Sequence, residues 1–211
     1  MLKIIKIILL SIWNVWFYVL AFIGILTTFP LLILFSSSER FYPQFYWVAR
    51  NIWSNIIMYG MGFYPKVKLK QPLIKGKSYM LVANHKSMID IMLMLSIAKY
   101  PIVFVGKKEL EKIPIFGYLY KRSAITVDRS SYKSRFQVYE RANELISKGY
   151  SICVFPEREY LDETILLNQF KIGAFKMAIE HKLPILPLVF YDCKRKFPWY
   201  TTHGYCGSLR V

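Results

Sequence analysis

The chain has 211 residues, 55% of them hydrophobic, with a mean hydropathy of +0.28. That composition excludes disorder as the dominant state, and the length suffices for one sizeable core. With 29 Lys and Arg against 13 Asp and Glu the net charge is +16, which suits an anionic partner, and the apolar content favours a membrane over free nucleic acid.

Charge is unevenly spread. Residues 1–64 carry Lys3, Lys6, Arg40 and Arg50 against Glu39, a net of +3; residues 65–211 hold the other 25 cations and 12 anions, a net of +13. The chain therefore divides into membrane-anchoring helices, 1–64, and a basic α/β domain, 65–211. From Ile7 to Leu26 there is no charge in 20 residues, a helix long enough to cross a hydrocarbon core. Lys3 and Lys6 resemble the start of a signal peptide. The run is too long for one, and no small-x-small cleavage site follows, so a retained anchor is expected. Thr27-Thr28-Phe29-Pro30 is expected to break the helix, and Ser36-Ser37-Ser38-Glu39 to end the apolar stretch.

A second arm follows Pro43. Gln44, Arg50, Asn51, Ser54 and Asn55 tend to one side, and Phe45, Val48, Ile52, Ile56 and Tyr59 to the other. This amphipathic pattern suits a helix at a membrane interface or one packed on the domain. Lys3, Lys6 and the basic domain all favour the cytoplasmic side, which a single crossing would not allow. Arg50 is costly at mid-bilayer, so the two arms are expected to form a hairpin within one leaflet.

Beyond Pro65 short apolar runs alternate with helical stretches. The runs are Met80–Ala83, Ile102–Val105, Ala124–Val127, Ser151–Phe155 and Ile185–Phe190; the helical stretches are Met88–Ala98, Tyr132–Ser147 and Phe170–Glu180. Gly149 and Pro184 act as stop signals. Such alternation predicts an α/β fold with a largely parallel central sheet flanked by helices. Four of the strands end in polar groups: Asn84-His85, Gly106-Lys107-Lys108, Asp128-Arg129 and Pro156-Glu157-Arg158. In a parallel sheet these share one edge, where open α/β sheets bind ligands.

Within Asn84-His85-Lys86-Ser87-Met88-Ile89-Asp90 the His and Asp are five residues apart, so they diverge if both lie in one helix. They meet if His85 lies in the loop and Asp90 in the first turn, with Ser87 at the boundary. Asp90 could then hold the His85 tautomer and leave Nε2 as a base. The structural alternative is a capping box, Ser87-x-x-Asp90, serving backbone N–H groups only. There is no G-x-S-x-G elbow, no Gly-rich phosphate loop and no metal-spaced His/Cys cluster. Cys153, Cys193 and Cys206 lack CxxC spacing and read as reduced thiols. A base without a protein nucleophile implies that the substrate supplies the nucleophile, and a hydroxyl attacking an acyl group fits. The neighbouring cations suit a phosphate-bearing acceptor.

These residues resemble the glycerolipid acyltransferase superfamily, most closely its 1-acyl-glycerol-3-phosphate (lysophosphatidic acid) acyltransferases. Asn84-His85…Asp90 is similar to the N-H-x₄-D signature. Ser123-Ala124-Ile125-Thr126-Val127-Asp128-Arg129 is similar to the second block, and Phe155-Pro156-Glu157 to the start of a third, F-P-E-G-T-R. Leu183-Pro184-Ile185-Leu186-Pro187-Leu188 is similar to the fourth. The segment Lys107-Lys108-Glu109-Leu110…Phe116-Gly117 also resembles the stretch before the second block. The likeness covers roughly residues 65–190. The third block departs from the family at Arg158, Glu159 and Tyr160, and Ser123 replaces a Gly in the second.

The resemblance implies that His85 acts as general base on a glycerol hydroxyl and that Asp90 orients it. It implies that Arg129, Lys107, Lys108, Glu157 and Arg158 hold the acceptor's phosphate. It implies acyl-CoA or acyl-carrier protein as co-substrate, with no cofactor and no metal, and phosphatidic acid as product. Membrane phospholipids are the expected partners, at the cytoplasmic face; nucleic acid is not. The altered third block leaves other acceptors open: glycerol-3-phosphate, a lysophospholipid or an amino-acid-derived lyso-lipid. A non-catalytic basic membrane-binding protein is the remaining alternative. Ser208–Val211 reads as the start of a strand, beyond which the resemblance leads one to expect further chain.

Overall fold

A computed structural model describes residues 2–71, 73–128, 131–157, 164–200 and 203–211. The first helix, α1, runs unbroken over Leu2–Ser36 with Pro30 inside it. The expected break does not occur. Pro30 removes one N–H donor, but leaving the helix in an apolar setting would strand further backbone groups. The hydroxyls of Thr27 and Thr28 are absorbed into the preceding turn, donating to Ile23 O at 2.8 Å and Gly24 O at 2.6 Å. Ile4, Ile8, Ile12, Phe22 and Leu34 are exposed, whereas Leu10, Phe17, Leu20 and Leu32 are buried against the rest of the chain. Among the described residues α1 is the one helix long and apolar enough to cross a membrane.

The second arm is a continuous helical run, 42–60, interrupted in register by a π-bulge. A 3₁₀ turn, Glu39–Phe41, leads into α2 (Tyr42–Val48), a π-helical segment (Ala49–Trp53) and α3 (Ser54–Gly60). The π segment rotates everything after it relative to an α-helical register. That is why Ser54, expected on the polar side, is buried, and Tyr59, expected on the apolar side, is exposed. Phe45, Tyr46, Val48, Ile57 and Met58 are buried. The Tyr46 hydroxyl donates to Ala98 O at 2.8 Å, so the arm packs on the domain.

The central sheet has five parallel strands: β2 (Met80–Ala83), β3 (Ile102–Lys107), β4 (Ala124–Val127), β5 (Ser151–Val154) and β6 (Ile185–Leu188), in the order β4-β3-β5-β2-β6. A separate parallel pair joins β1 (Phe63–Lys66) to β7 (Gly207–Arg210). Both faces of the sheet are covered, as parallel sheets require. Leu81, Ala83 and Cys153 share a core with Phe17, Ile57, Met58 and Leu93, the last on α4 (Ile89–Ile97). Met80, Val82 and Ile152 face the other way, against α6 (Tyr132–Ser147) and α7 (Gly173–Glu180). Two further helices are α5 (Phe116–Ser123) and the short α8 (Cys193–Lys196).

Asp192, buried at the start of α8, holds the chain's last strand in place. Its carboxylate accepts from Arg210 N, Nε and Nη2 at 3.0, 2.8 and 2.7 Å, and from Arg195 Nη2 at 2.9 Å. The Arg210 guanidinium above all pulls the Asp192 pKa far below the usual carboxylate range. A carboxyl depressed on folding stabilises the fold fully above its ordinary pKa of about 3.9, and loses that contribution as pH falls towards the lower folded value. Asp192→Asn should therefore lower the unfolding midpoint at neutral pH. The gap to the parent chain should close progressively as pH drops below about 4. A gap independent of pH would assign the loss to packing instead.

Candidate active site

Because the five strands are parallel, their carboxyl ends share one edge. The segment after β2 turns there through Asn84-His85-Lys86-Ser87 before α4 begins. The Asn84 amide pins this turn to the chain beyond β6, donating to Phe190 O at 3.0 Å and accepting from Phe190 N at 2.7 Å. Ser87 donates its hydroxyl to Phe197 O and accepts from Ile89 N at 3.2 Å, opening the helix. Asp90 lies in the first turn of α4.

His85 Nδ1 and Asp90 Oδ2 meet at 3.0 Å. The same oxygen accepts from Lys86 N and Ser87 N, each at 2.8 Å. The capping and orienting functions considered for Asp90 thus coexist in one carboxylate. An ionised carboxylate only accepts, so Nδ1 carries the ring proton and Nε2 is left with a lone pair. Asp90 Oδ1 is buried without a nitrogen or oxygen donor. Cys193 neighbours this carboxylate; burial first, and then the Asp90 charge, hold its thiol pKa well above the ordinary value, so the thiol stays protonated.

Aromatic rings frame the imidazole. Phe155 stacks on it with centroids 4.4 Å apart, and Trp199 meets it edge-on at 5.7 Å. The His85 side chain keeps 16% of its surface open. It is thus fixed by Asp90, flanked by apolar rings and still reachable.

The remaining expected residues divide. Lys107 is the last residue of β3 and half-buried; Lys108 is exposed and opens a 3₁₀ segment, Lys108–Lys112. Both lie at the carboxyl edge. Arg129 and Arg158, with Glu159 and Tyr160, lie outside the described residues. Glu157, expected among the groups holding the acceptor's phosphate, follows β5 at the same edge. Its carboxylate is turned inward and buried. It accepts from His85 N at 2.8 Å and Asn168 N at 2.6 Å, and faces Lys86 Nζ at 3.5 Å. Lys86 is also buried, an arrangement tolerated only because the two charges are paired. Sequence reasoning missed Lys86, since nothing in the order of residues distinguishes it from a solvated loop lysine. Among the described residues no group of three His, Cys, Asp or Glu could hold a metal ion.

A family model described as acyltransferase matches residues 65–191. The chain belongs to the acyltransferase family. Among similar proteins, the 1-acyl-sn-glycerol-3-phosphate acyltransferase of Saccharomyces cerevisiae is 31% identical over 147 residues, covering 68% of this chain and 48% of that protein. The enzyme of the same name from Escherichia coli is 35% identical over 128 residues, 58% of this chain and 51% of that one. The chain spans about half the length of these curated relatives. In fold it is similar to the crystal structure of the 1-acyl-sn-glycerophosphate acyltransferase PlsC from Thermotoga maritima, with a TM-score of 0.76 at 21% identity over 99% of this chain and 83% of that one. In this acyltransferase the matched region includes the whole five-stranded sheet and the His85–Asp90 pair.

Proposed function

We propose that this acyltransferase moves an acyl chain from a thioester, acyl-CoA or acyl-carrier protein, to the free hydroxyl of 1-acyl-glycerol-3-phosphate, giving phosphatidic acid. The carrying observation is the 3.0 Å contact between His85 Nδ1 and Asp90 on an imidazole that stays open to the surface. His85 Nε2 takes the hydroxyl proton as the oxygen attacks the thioester carbonyl. A tetrahedral oxyanion forms, the C–S bond breaks, and the imidazolium returns its proton to the departing thiolate. The new ester and the free thiol balance the reaction, and no bound cofactor or metal takes part. Lys107 and Lys108, with Arg129 and Arg158, supply the positive charge for the acceptor's phosphate.

Both acceptor and product are bilayer lipids, so the reaction belongs at a membrane surface. The exposed apolar face of α1 and the +13 charge of residues 65–211 support membrane attachment with the domain on the cytoplasmic side.

The test is turnover by the purified chain in vesicles, with labelled acyl-CoA or acyl-carrier protein against a panel of acceptors. Phosphatidic acid from lysophosphatidic acid is the expected product. Turnover of glycerol-3-phosphate or a lysophospholipid, with none of lysophosphatidic acid, would overturn the acceptor assignment.

A further inference from the structure

We infer that Ile165, Leu166 and Leu167 form a second point of contact with the lipid surface, separate from α1, beside the catalytic edge. This rests on the membrane reading above. The three apolar side chains are consecutive and exposed, and Leu166, at 79%, is the most exposed large hydrophobic among the described residues. Three adjacent exposed apolar residues are not expected in a surface loop without a partner.

The loop is held so that it cannot fold these side chains away. Its backbone is tied on the site side by Asn168 N donating to Glu157 at 2.6 Å and Lys171 N donating to Pro156 O at 3.0 Å. Phe170 forms an antiparallel bridge with Glu157. At the other end Lys194 Nζ donates to Ile165 O at 2.9 Å. These bonds hold the backbone on either side of Leu166 and Leu167, whose side chains are exposed.

The position favours a lipid surface over a soluble partner. Glu157 also accepts from His85 N, so one carboxylate joins the apolar tip to the catalytic loop. Lys194 lies on α8, which leads to Phe197, and Phe197 packs on Trp13 and Phe17 of α1 with centroids 5.1 and 5.4 Å apart. The tip is thereby connected to the half of α1 that exposes Ile8, Leu9 and Ile12. In sequence Asp162-Glu163 precedes the run and Lys171 follows it; α8 adds Lys194 and Arg195. An exposed apolar tip with Lys171 and Lys194 near it, joined through α8 to the apolar helix, matches acyl chains beneath anionic headgroups.

The test uses the full chain in vesicles of phosphatidylcholine and phosphatidylglycerol. Cys206 is the exposed native cysteine, and Cys153 and Cys193 are buried, so Cys206→Ser provides the background for single labels. An environment-sensitive fluorophore is placed through Leu166→Cys, Ile8→Cys or Ile179→Cys; Ile179 is exposed on α7, which packs on the face of the sheet opposite α1. Quenching by a nitroxide on the lipid chain should be at least about threefold stronger at position 166 than at 179, with iodide in the water showing the reverse order. Iodide quenching at 166 equal to that at 179 overturns the inference. So does shielding at 166 from both quenchers, which means that a protein, a second copy or a carrier, covers the tip. Lipid quenching at position 8 without any at 166 removes the second contact and leaves the membrane reading standing. No lipid quenching at either position removes both.

Discussion

His85→Ala is expected to lower kcat for acyl transfer by about 10²- to 10⁴-fold, the range that a positioned general base supplies. The fold and vesicle binding should persist, because the backbone N–H at position 85 still donates to Glu157. Asp90→Asn tests the carboxylate's charge separately. The amide oxygen can still accept from Lys86 N, Ser87 N and Nδ1, but without the negative charge the imidazolium formed when Nε2 takes the proton is less stabilised, so turnover should fall while the ring stays in place. The two losses should not add in the double variant, because the residues act as one unit. The measurement is kcat in vesicles alongside unfolding midpoints. Undiminished turnover in His85→Ala with an intact fold would remove the catalytic assignment. Losses that multiply would separate Asp90 from the imidazole and reduce it to a helix cap.

The sheet is legible in the sequence because its strands are short apolar runs bounded by Gly, Pro and Asn, and a parallel sheet buried on both faces demands such runs. Met80–Ala83 and Ala124–Val127 have the expected bounds. β1 is not legible: its burial alternates, but the outward position is an exposed aromatic, Tyr64, and an inward one is Pro65, so residue type does not mark the pattern. The helix expected from Phe170 starts at Gly173, because Phe170 is taken into a bridge with Glu157 that no local pattern announces. The π segment in the second arm is likewise invisible to a reading that assumes one periodicity throughout.

The His85–Asp90 contact is legible because its spacing allows only one geometry in which the pair meets, a loop residue beside a first-turn residue. Glu157 is legible as important but not in its function. A strand-end carboxylate can face solvent, substrate or a buried cation, and here the choice is made by Lys86, 71 residues earlier in the chain.

That choice makes the second large prediction. Glu157→Gln leaves the Lys86 ammonium buried and without its counter-charge, and removing one partner of a buried pair costs about 3–5 kcal/mol. The amide can still accept one of the two N–H bonds that the carboxylate holds, from His85 and Asn168. Lys86→Met in the same chain removes the stranded charge, so the double variant should recover part of the loss. Denaturant midpoints of the parent, the two single variants and the double variant measure this. Turnover should fall in Glu157→Gln as well, because the backbone of His85, the proposed base, loses the carboxylate that fixes it. The double variant, with stability partly restored and that anchor still weakened, should remain slow. If Glu157→Gln leaves the midpoint within about 0.5 kcal/mol of the parent, the value of an ordinary surface substitution, the buried pair does not hold this loop. If KM for the acceptor alone rises while kcat and stability stay unchanged, Glu157 touches substrate, as the resemblance implied.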